Sequence, residues 1–415
     1  MSRSTSTRPD ATGARPVPRV IGSGGGATHW DVVVVGARVA GASTALLLAR
    51  AGVRVLVVDR ARRGSDTLST HALMRGGVLQ LRRWGLLDRV AATGVPAIRR
   101  VTFHYGAESA QVSLRPYAGV DCLYAPRRTV LDGLLVEAAE RAGAQFRFGL
   151  AVTDLARDPG GRVVGVVVRD QLGRRHVERA DLVVGADGRQ SVVAERLAPP
   201  VLAAGSGTGS YVYGYWPATG IDGYHWYYGH RVSAGVIPTN DGLACVFAGG
   251  PASDSHVDGR RERPALVLRS RLAGVDDGLA ALTASAAEGG LRWFRGLAPR
   301  VRRPFGDGWA LVGDAGSWMD PLSTHGMTDA LRDAESLARA IVSGAASERA
   351  AAAAFRDYQA RRDRVALRMH PLVDRLASHA WTHAEARELL RGLASLMADE
   401  VEEIAGLAPL AAVSA

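Results

Sequence analysis

The chain of 415 residues contains no lysine. Its 51 basic residues are therefore all arginine. That absence excludes Schiff-base catalysis and a Walker A phosphate loop, because both need a lysine amine. Cysteine is scarce as well. Cys122 and Cys245 lie far apart in apolar settings, without a partner motif. They read as buried thiols of a reducing compartment, and no disulfide framework is expected. No apolar run reaches the length of a membrane span, and the first residues lack the apolar stretch of a signal peptide. A soluble cytoplasmic protein is expected. Acidic residues number 41, which leaves a net charge of +10. The arginines are scattered rather than gathered on one segment, so nucleic acid is not an expected partner. The eleven histidines show no metal-ligand spacing, and no metal site is expected.

What is present is an apolar fraction of 47%, enough for more than one lobe. Residues 1–28 are rich in Ser, Thr, Gly, Pro and Arg and are predicted to be a disordered tail. From Asp31 to Arg60 the chain reads DVVVVGARVAGASTALLLARAGVRVLVVDR. This is a β-branched strand, a glycine turn, a helix rich in Ala and Leu, and a second apolar strand ending in an acid. Gly36 permits the tight exit from the strand, and Gly41 allows close packing of helix on strand. Ala40 lies in the same turn. The N–H groups that open the helix suit a pyrophosphate. Asp59, with Arg60 beside it, is placed for the ribose of an adenosine, and an acid there disfavours a 2′-phosphate. One departure stands out: the middle glycine of such turns is Arg38 here. Its side chain either points away, pairs with a phosphate, or obstructs the usual pose.

Further along, helices are predicted over Leu73–Trp84, Arg127–Gly143, Thr328–Ser343, Ala346–Val365 and Thr382–Ile404 by apolar periodicity. Val257–Gly296 reads as mainly helical. Ala144–Arg179 reads as short strands, with a turn at Pro159–Gly161. Within Thr208–Gly250, Tyr211, Tyr213 and Tyr215 alternate, as do Tyr224, Trp226 and Tyr228. This pattern predicts an antiparallel sheet with an aromatic face. Tyr213, Tyr215, Trp226 and Tyr228 are the candidates for contact with a substrate. The plainer alternative is that the rings only fill a core. Two more apolar strands end in acids, DLVVGADGR at Asp181–Arg189 and GWALVGDAGSWMDP at Gly308–Pro321. An acid at the carboxyl end of such a strand sits where open α/β sheets bind ligands.

With these three motifs in order, the stretch from Trp30 to Val373 resembles the class A FAD-dependent aromatic hydroxylases, the p-hydroxybenzoate hydroxylase-like flavoprotein monooxygenases. The resemblance implies an α/β fold, with a Rossmann-like FAD-binding domain of GR2 type, an inserted antiparallel-sheet substrate domain and a helical C-terminal region. The expected divisions are 29–190 with 300–345, then 191–299, then 346–415. Asp187 and Gly188 match the family's DG pair, implicated in relatives in both FAD and nicotinamide coenzyme binding. Gly313 and Asp314 match its GD pair, whose aspartate holds the ribityl chain. Arg128 resembles the arginine that approaches the FAD phosphates. Pro321, Gly326 and Met327 match the turn facing the pyrimidine side of the isoalloxazine, although Ser317 and Trp318 stand where a histidine is frequent. His71 and His325 are the ionisable candidates for a direct catalytic role, against the ordinary alternative that each is structural.

The implied chemistry is oxidation of NADH or NADPH by FAD, or reduction by a separate flavin reductase, followed by reaction with O₂. A flavin C4a-hydroperoxide would then hydroxylate a small hydrophobic, aromatic or polyketide-like molecule. Flavin-dependent halogenases share this fold but need a lysine, which this chain lacks. The remaining alternatives are a geranylgeranyl-reductase-like alkene reductase and a non-catalytic flavin carrier.

Overall fold

The computed structural model describes residues 29–257, 260–261 and 263–410. The disordered tail expected over residues 1–28 lies outside them.

Among the described residues, an eight-stranded sheet has a parallel centre. Trp309–Leu311, Arg175–Gly185, His29–Val35, Val55–Asp59 and Gln145–Phe148 follow one another across it. Val32 to Val35 run buried without alternation because helices and strands cover both faces. The register pairs Val35 with Val58 and with Gly185, and Gly185 with Leu311. The carboxyl ends of these strands therefore share one edge, where Asp59, the last residue of its strand, and residues just beyond the others (Gly36, Asp187 and Asp314) gather. The hairpin Ala151–Arg157 and Val163–Arg169 adds antiparallel strands to the outer half of Arg175–Gly185.

The second sheet has seven strands, in the order Arg292–Phe294, Gly209–Pro217, Leu243–Pro251, Val232–Pro238, Tyr224–Gly229, Arg100–Tyr105 and Glu108–Ser113. The last two strands come from a stretch expected to belong to the nucleotide lobe. Tyr224–Tyr228 pairs in parallel with Val101–Tyr105, which carries them into this sheet. The expectation of mainly helix over Val257–Gly296 is corrected. Helices there cover Pro264–Ala273 and Asp277–Leu282, while Arg292–Phe294 is a strand on the sheet edge. Glycines at 274, 289 and 290 and the edge pairing to Tyr211–Tyr213 interrupt the helical pattern.

Helices Gly326–Gly344, Glu348–Ala377 and His383–Ala405 follow. The middle one runs on through Pro371, well past the expected Val365, because Met369, Val373 and Leu376 keep burying one face. A capping box formed by Thr382 and Glu385 starts the last. No described helix is long and apolar enough to cross a membrane.

Candidate functional site

A cavity of about 390 Å³ opens between the two sheets and runs from the parallel-sheet edge to the aromatic face. At its first end Gly36 has φ +105°, and a Cβ on it would lie 2.5 Å from the Ala186 carbonyl oxygen. A Cβ on Gly41 would lie 1.8 Å from the Gly36 oxygen. Both glycines are thus dictated by close backbone approach. Helix Val39–Arg50 starts at this turn with no side chain capping it, which leaves its first N–H groups and positive end to a ligand. Asp59 braces the turn by accepting hydrogen bonds from the N–H groups of Ala37 and Ala61, each 2.7 Å. Its remaining lone pairs are available to hydroxyl donors.

The Arg38 side chain is turned to the neighbouring loop. It donates to the carbonyls of Ser65 (3.2 Å) and Asp66 (3.1 Å) and lies 3.4 Å from the Asp132 carboxylate. Arg128 holds the same Asp132 at 3.0 and 3.1 Å. Asp187 accepts from the Ser191 hydroxyl (2.5 Å) and the Val192 N–H (2.7 Å), so it anchors the short helix Val192–Leu197. Burial pushes its carboxyl upward. Gly188, at φ +81°, faces open space. Asp314 differs from Asp59 and Asp187 in having no hydrogen-bond partner among the described residues. Burial, and then the nearby Asp329 carboxylate, raise it from 3.8 to about 7. Beyond it the chain turns at Pro321–Ser323, passes Thr324 at φ +56°, and enters helix Gly326–Gly344. Gly326 and Met327 line the cavity at that helix's N-terminus.

The other end is walled by Tyr211, Tyr213, Trp226, Phe247, Phe294 and Trp318. The Tyr211 hydroxyl donates to Asp320 at 2.5 Å, and Asp320 also accepts from the N–H groups of Gly209 (2.9 Å) and Leu322 (3.0 Å). The Tyr213 oxygen accepts from the Ser69 N–H at 3.1 Å. His71 adopts φ +70°, unusual for a side chain of its size. It is buried, with Nε2 2.5 Å from the Tyr215 hydroxyl. Its Nδ1 is buried without a partner. Burial, and then the positive charges of Arg128, Arg127 and Arg292, lower it to about 3. The imidazole is therefore neutral at physiological pH.

Of the residues expected at the site, Gly36, Arg38, Ala40, Asp59, Arg60, Arg128, Asp187, Gly188, Asp314, Pro321, Gly326, Met327, His71, Tyr213 and Trp226 line this one cavity. Gly41 and Gly313 do not reach it but sit directly behind its wall. Three expectations are corrected. His325 does not face the cavity: its imidazole bonds Glu400 of the last helix at 2.7 Å. Burial opposes its charge, yet the carboxylates of Glu400 and Asp329 raise its pKa on balance. Tyr215 stands behind His71, with Arg127 over its ring at 4.3 Å. Tyr228 packs between Tyr105 and Trp381, away from the opening. His325, Asp329 and Glu400 approach within 4.8 Å in a grouping that resembles a metal centre. Arg332 already occupies it, 2.6 Å from Asp329 and 2.7 Å from Glu400. Tyr211, Phe247, Phe294 and Trp318, together with Arg189 and Asp320, also line the cavity and were not among the expected site residues. Tyr211 shares the alternation of Tyr213, so its signal was present.

The residues at the parallel-sheet edge fit FAD. Two glycines admit a backbone-close ligand, and Asp314 is an unbonded acceptor facing the cavity. The chain matches the family described as "FAD binding domain" over residues 29–371 and belongs to it. Among relatives, the probable electron transfer flavoprotein-quinone oxidoreductase YdiS of Escherichia coli is 31% identical over 241 residues, which cover 54% of this chain and 49% of that protein. The matched chain thus spans about half of that relative. The menaquinone reductase of Mycolicibacterium smegmatis is 26% identical over 343 residues, covering 77% of this chain and 78% of that one. Among solved structures, PqsL of Pseudomonas aeruginosa, a probable FAD-dependent monooxygenase, has a TM-score of 0.74 at 22% identity, over 88% of this chain and all of its own. It has also been solved with 2-aminobenzoylacetate. The flavin-dependent brominase Bmp2 gives 0.72 at 19% identity, over 91% of this chain and 94% of its own. The fold is thus the one shared by flavoprotein monooxygenases and halogenases, as the three motifs implied.

Proposed function

We propose that the chain is an FAD-dependent monooxygenase that hydroxylates an aromatic small molecule, using O₂ and electrons from NADH or NADPH. The observation that carries this reading is the single cavity joining a dinucleotide-type strand edge to an aromatic wall. Bound FAD would supply two-electron reduction and activation of O₂. In this reading the N-terminus of Val39–Arg50, with Arg60 and Arg128, meets the pyrophosphate. Asp59 takes the ribose and Asp314 the ribityl hydroxyls. The N–H groups of Gly326 and Met327 offset negative charge on the ring system. The six aromatic residues exclude water from the reacting end. His71, neutral and hydrogen-bonded to Tyr215, holds its one ring proton in place near the substrate.

The proposed division keeps 29–190 with 300–345 for FAD, 191–299 for substrate and 346–415 as a helical cover, with residues 100–113 joined to the substrate sheet. A cytoplasmic location agrees with the two buried free cysteines. The test is to purify the protein, identify its flavin by absorbance and mass, and follow NAD(P)H oxidation and O₂ uptake across a panel of aromatic compounds. Stimulated, coupled consumption is expected. No flavin uptake would end the reading. Stimulation seen only when a separate flavin reductase is added would move the electron entry to that partner.

The menaquinone reductase relative favours a second reading, reduction of an isoprenoid double bond, as in the geranylgeranyl-reductase-like alternative. Anaerobic saturation of an alkene, with no O₂-dependent product, would select it.

A further inference from the structure

We infer that Asp320 is a positioning residue that ties the aromatic wall to the flavin-facing turn, so that filling the flavin site orders the wall. The inference rests on the monooxygenase reading and names how the two ends of that site are kept in register. Asp320 directly precedes the turn Pro321–Ser323 and is 1% exposed. Three donors fill its carboxylate. Oδ1 accepts from the Tyr211 hydroxyl (2.5 Å) and from the Leu322 N–H (3.0 Å). Oδ2 accepts from the Gly209 N–H (2.9 Å). One oxygen atom therefore joins a ring of the wall to the backbone of the turn. The other takes the first residue of the strand that carries the ring.

Tyr211 has little freedom apart from this tie. A Cβ on Gly209 would lie 2.1 Å from its hydroxyl oxygen, and one on Gly249 would lie 2.2 Å from its ring. Both glycines thus clear the slot in which the ring lies. The ring stacks on Phe294 at 6.2 Å, and Phe294 meets Trp318 edge-on at 5.8 Å. Trp318 stands two residues before Asp320, and its indole N–H donates to the Leu297 carbonyl at 3.0 Å. Asp320, Tyr211, Phe294 and Trp318 close a circuit, and a shift of the turn is passed to the wall.

Apolar packing could join wall and turn without burying an acid. Burial pushes the Asp320 carboxyl upward, against the lowering pull of Tyr211, Leu322 and Gly209, and Asp374 adds to the rise. Burial, and then Asp320, keep the Tyr211 hydroxyl protonated, so Tyr211 donates and Asp320 accepts. Taking a carboxyl out of water is costly, but hydrogen bonds fix direction where apolar contacts do not. A misplacement of about 1 Å between bound reactants costs on the order of 100-fold in rate. That is the chemical use of a directional tie between the wall that holds the substrate and the turn that borders the flavin. The same tie makes the wall respond to what lies on the turn: a flavin that orders Leu322 and Ser323 orders Tyr211 as well.

The experiment is hydrogen–deuterium exchange of the full chain, with and without FAD, in wild type, Asp320→Asn and Tyr211→Phe. It is read on peptides covering residues 209–217 and 321–328. In wild type FAD should slow exchange at least about tenfold in both. Asp320→Asn sets an amide N–H₂ against one of the three donors. There FAD should still slow the turn about tenfold, but the strand less than about threefold. Tyr211→Phe keeps the ring and the Gly209 bond, and its strand should fall between these values. Should Asp320→Asn not fold, Tyr211→Phe decides alone. No effect of FAD on the wild-type strand overturns the inference. So does an FAD effect on the strand that the variants leave unchanged. A purely structural Asp320 would speed exchange by the same factor with and without FAD, which keeps the ratio and overturns the proposal. If the wild-type chain takes up no FAD, the monooxygenase reading fails separately. The flavin-free proteins then decide the tie: Asp320→Asn should speed exchange in strand and turn together by at least about tenfold, and acceleration in neither or in only one overturns it.

Discussion

Asp314→Asn should stabilise the flavin-free protein at neutral pH and weaken its hold on FAD. Asp314 titrates near 3.8 when unfolded and about 7 when folded, because burial and Asp329 disfavour its charge. Below about pH 4 both states are protonated and the residue costs nothing. As pH rises toward 7 the unfolded state ionises first, so folding loses stability, and above 7 the full cost applies. A gap of roughly three pKa units corresponds to ~4 kcal/mol. Asp314 is only half-buried and borders the cavity, where water screens it, so ~2–4 kcal/mol is the reasonable range. For a chain of this length ΔS of unfolding is on the order of 0.8 kcal/mol per degree, which converts to a rise of roughly 3–5 °C. Thermal unfolding of flavin-free wild type and Asp314→Asn at pH 5 and pH 8 reads this directly. The variant's advantage should grow between the two values. FAD titration should show the opposite trend, with affinity at least tenfold lower in the variant. An unchanged or lower melting temperature at pH 8, together with unchanged FAD affinity, would refute both the electrostatics and the placement of Asp314.

Three further outcomes are expected. Gly41→Ala forces a Cβ onto the Gly36 oxygen and should cost ~3 kcal/mol or more, visible as a depressed melting temperature and little FAD-loaded protein. His325→Ala breaks a buried pair with Glu400; since Arg332 still neutralises Glu400, the loss should be ~3 kcal/mol of stability, while substrate turnover per folded molecule stays near wild type. His71→Gln should instead lower kcat by about 100-fold or more with a melting temperature within a few degrees of wild type; wild-type kcat would remove His71 from the chemistry.

The parts of the site that could be read in the sequence are those built from neighbours along the chain. Gly36, Gly41 and Asp59 lie within one strand–turn–helix–strand unit, and Asp187 and Asp314 each end a buried strand. Their meeting point follows from parallel register alone. What escaped detection depended on distant partners. The strands Arg100–Tyr105 and Glu108–Ser113 carry weak apolar alternation, and the second is exposed along its whole length; only pairing with Tyr224–Tyr228 defines them. Tyr213 and Tyr215 share a face, yet Arg127 and His71 cover the second, so alternation identified the face and not the opening. His325 could not be assigned without Glu400, 75 residues away. Phe294 was hidden by the helical reading of its segment.

The pairing of residues 101–105 with 224–228 stitches the substrate wall to chain that precedes it by more than a hundred positions. That wall is consequently not a detachable cassette. Grafting the later segment alone into a homologous scaffold would strip one of its strands of a neighbour and bare a fresh edge for aggregation. Any exchange of ligand preference between relatives has to carry both stretches together.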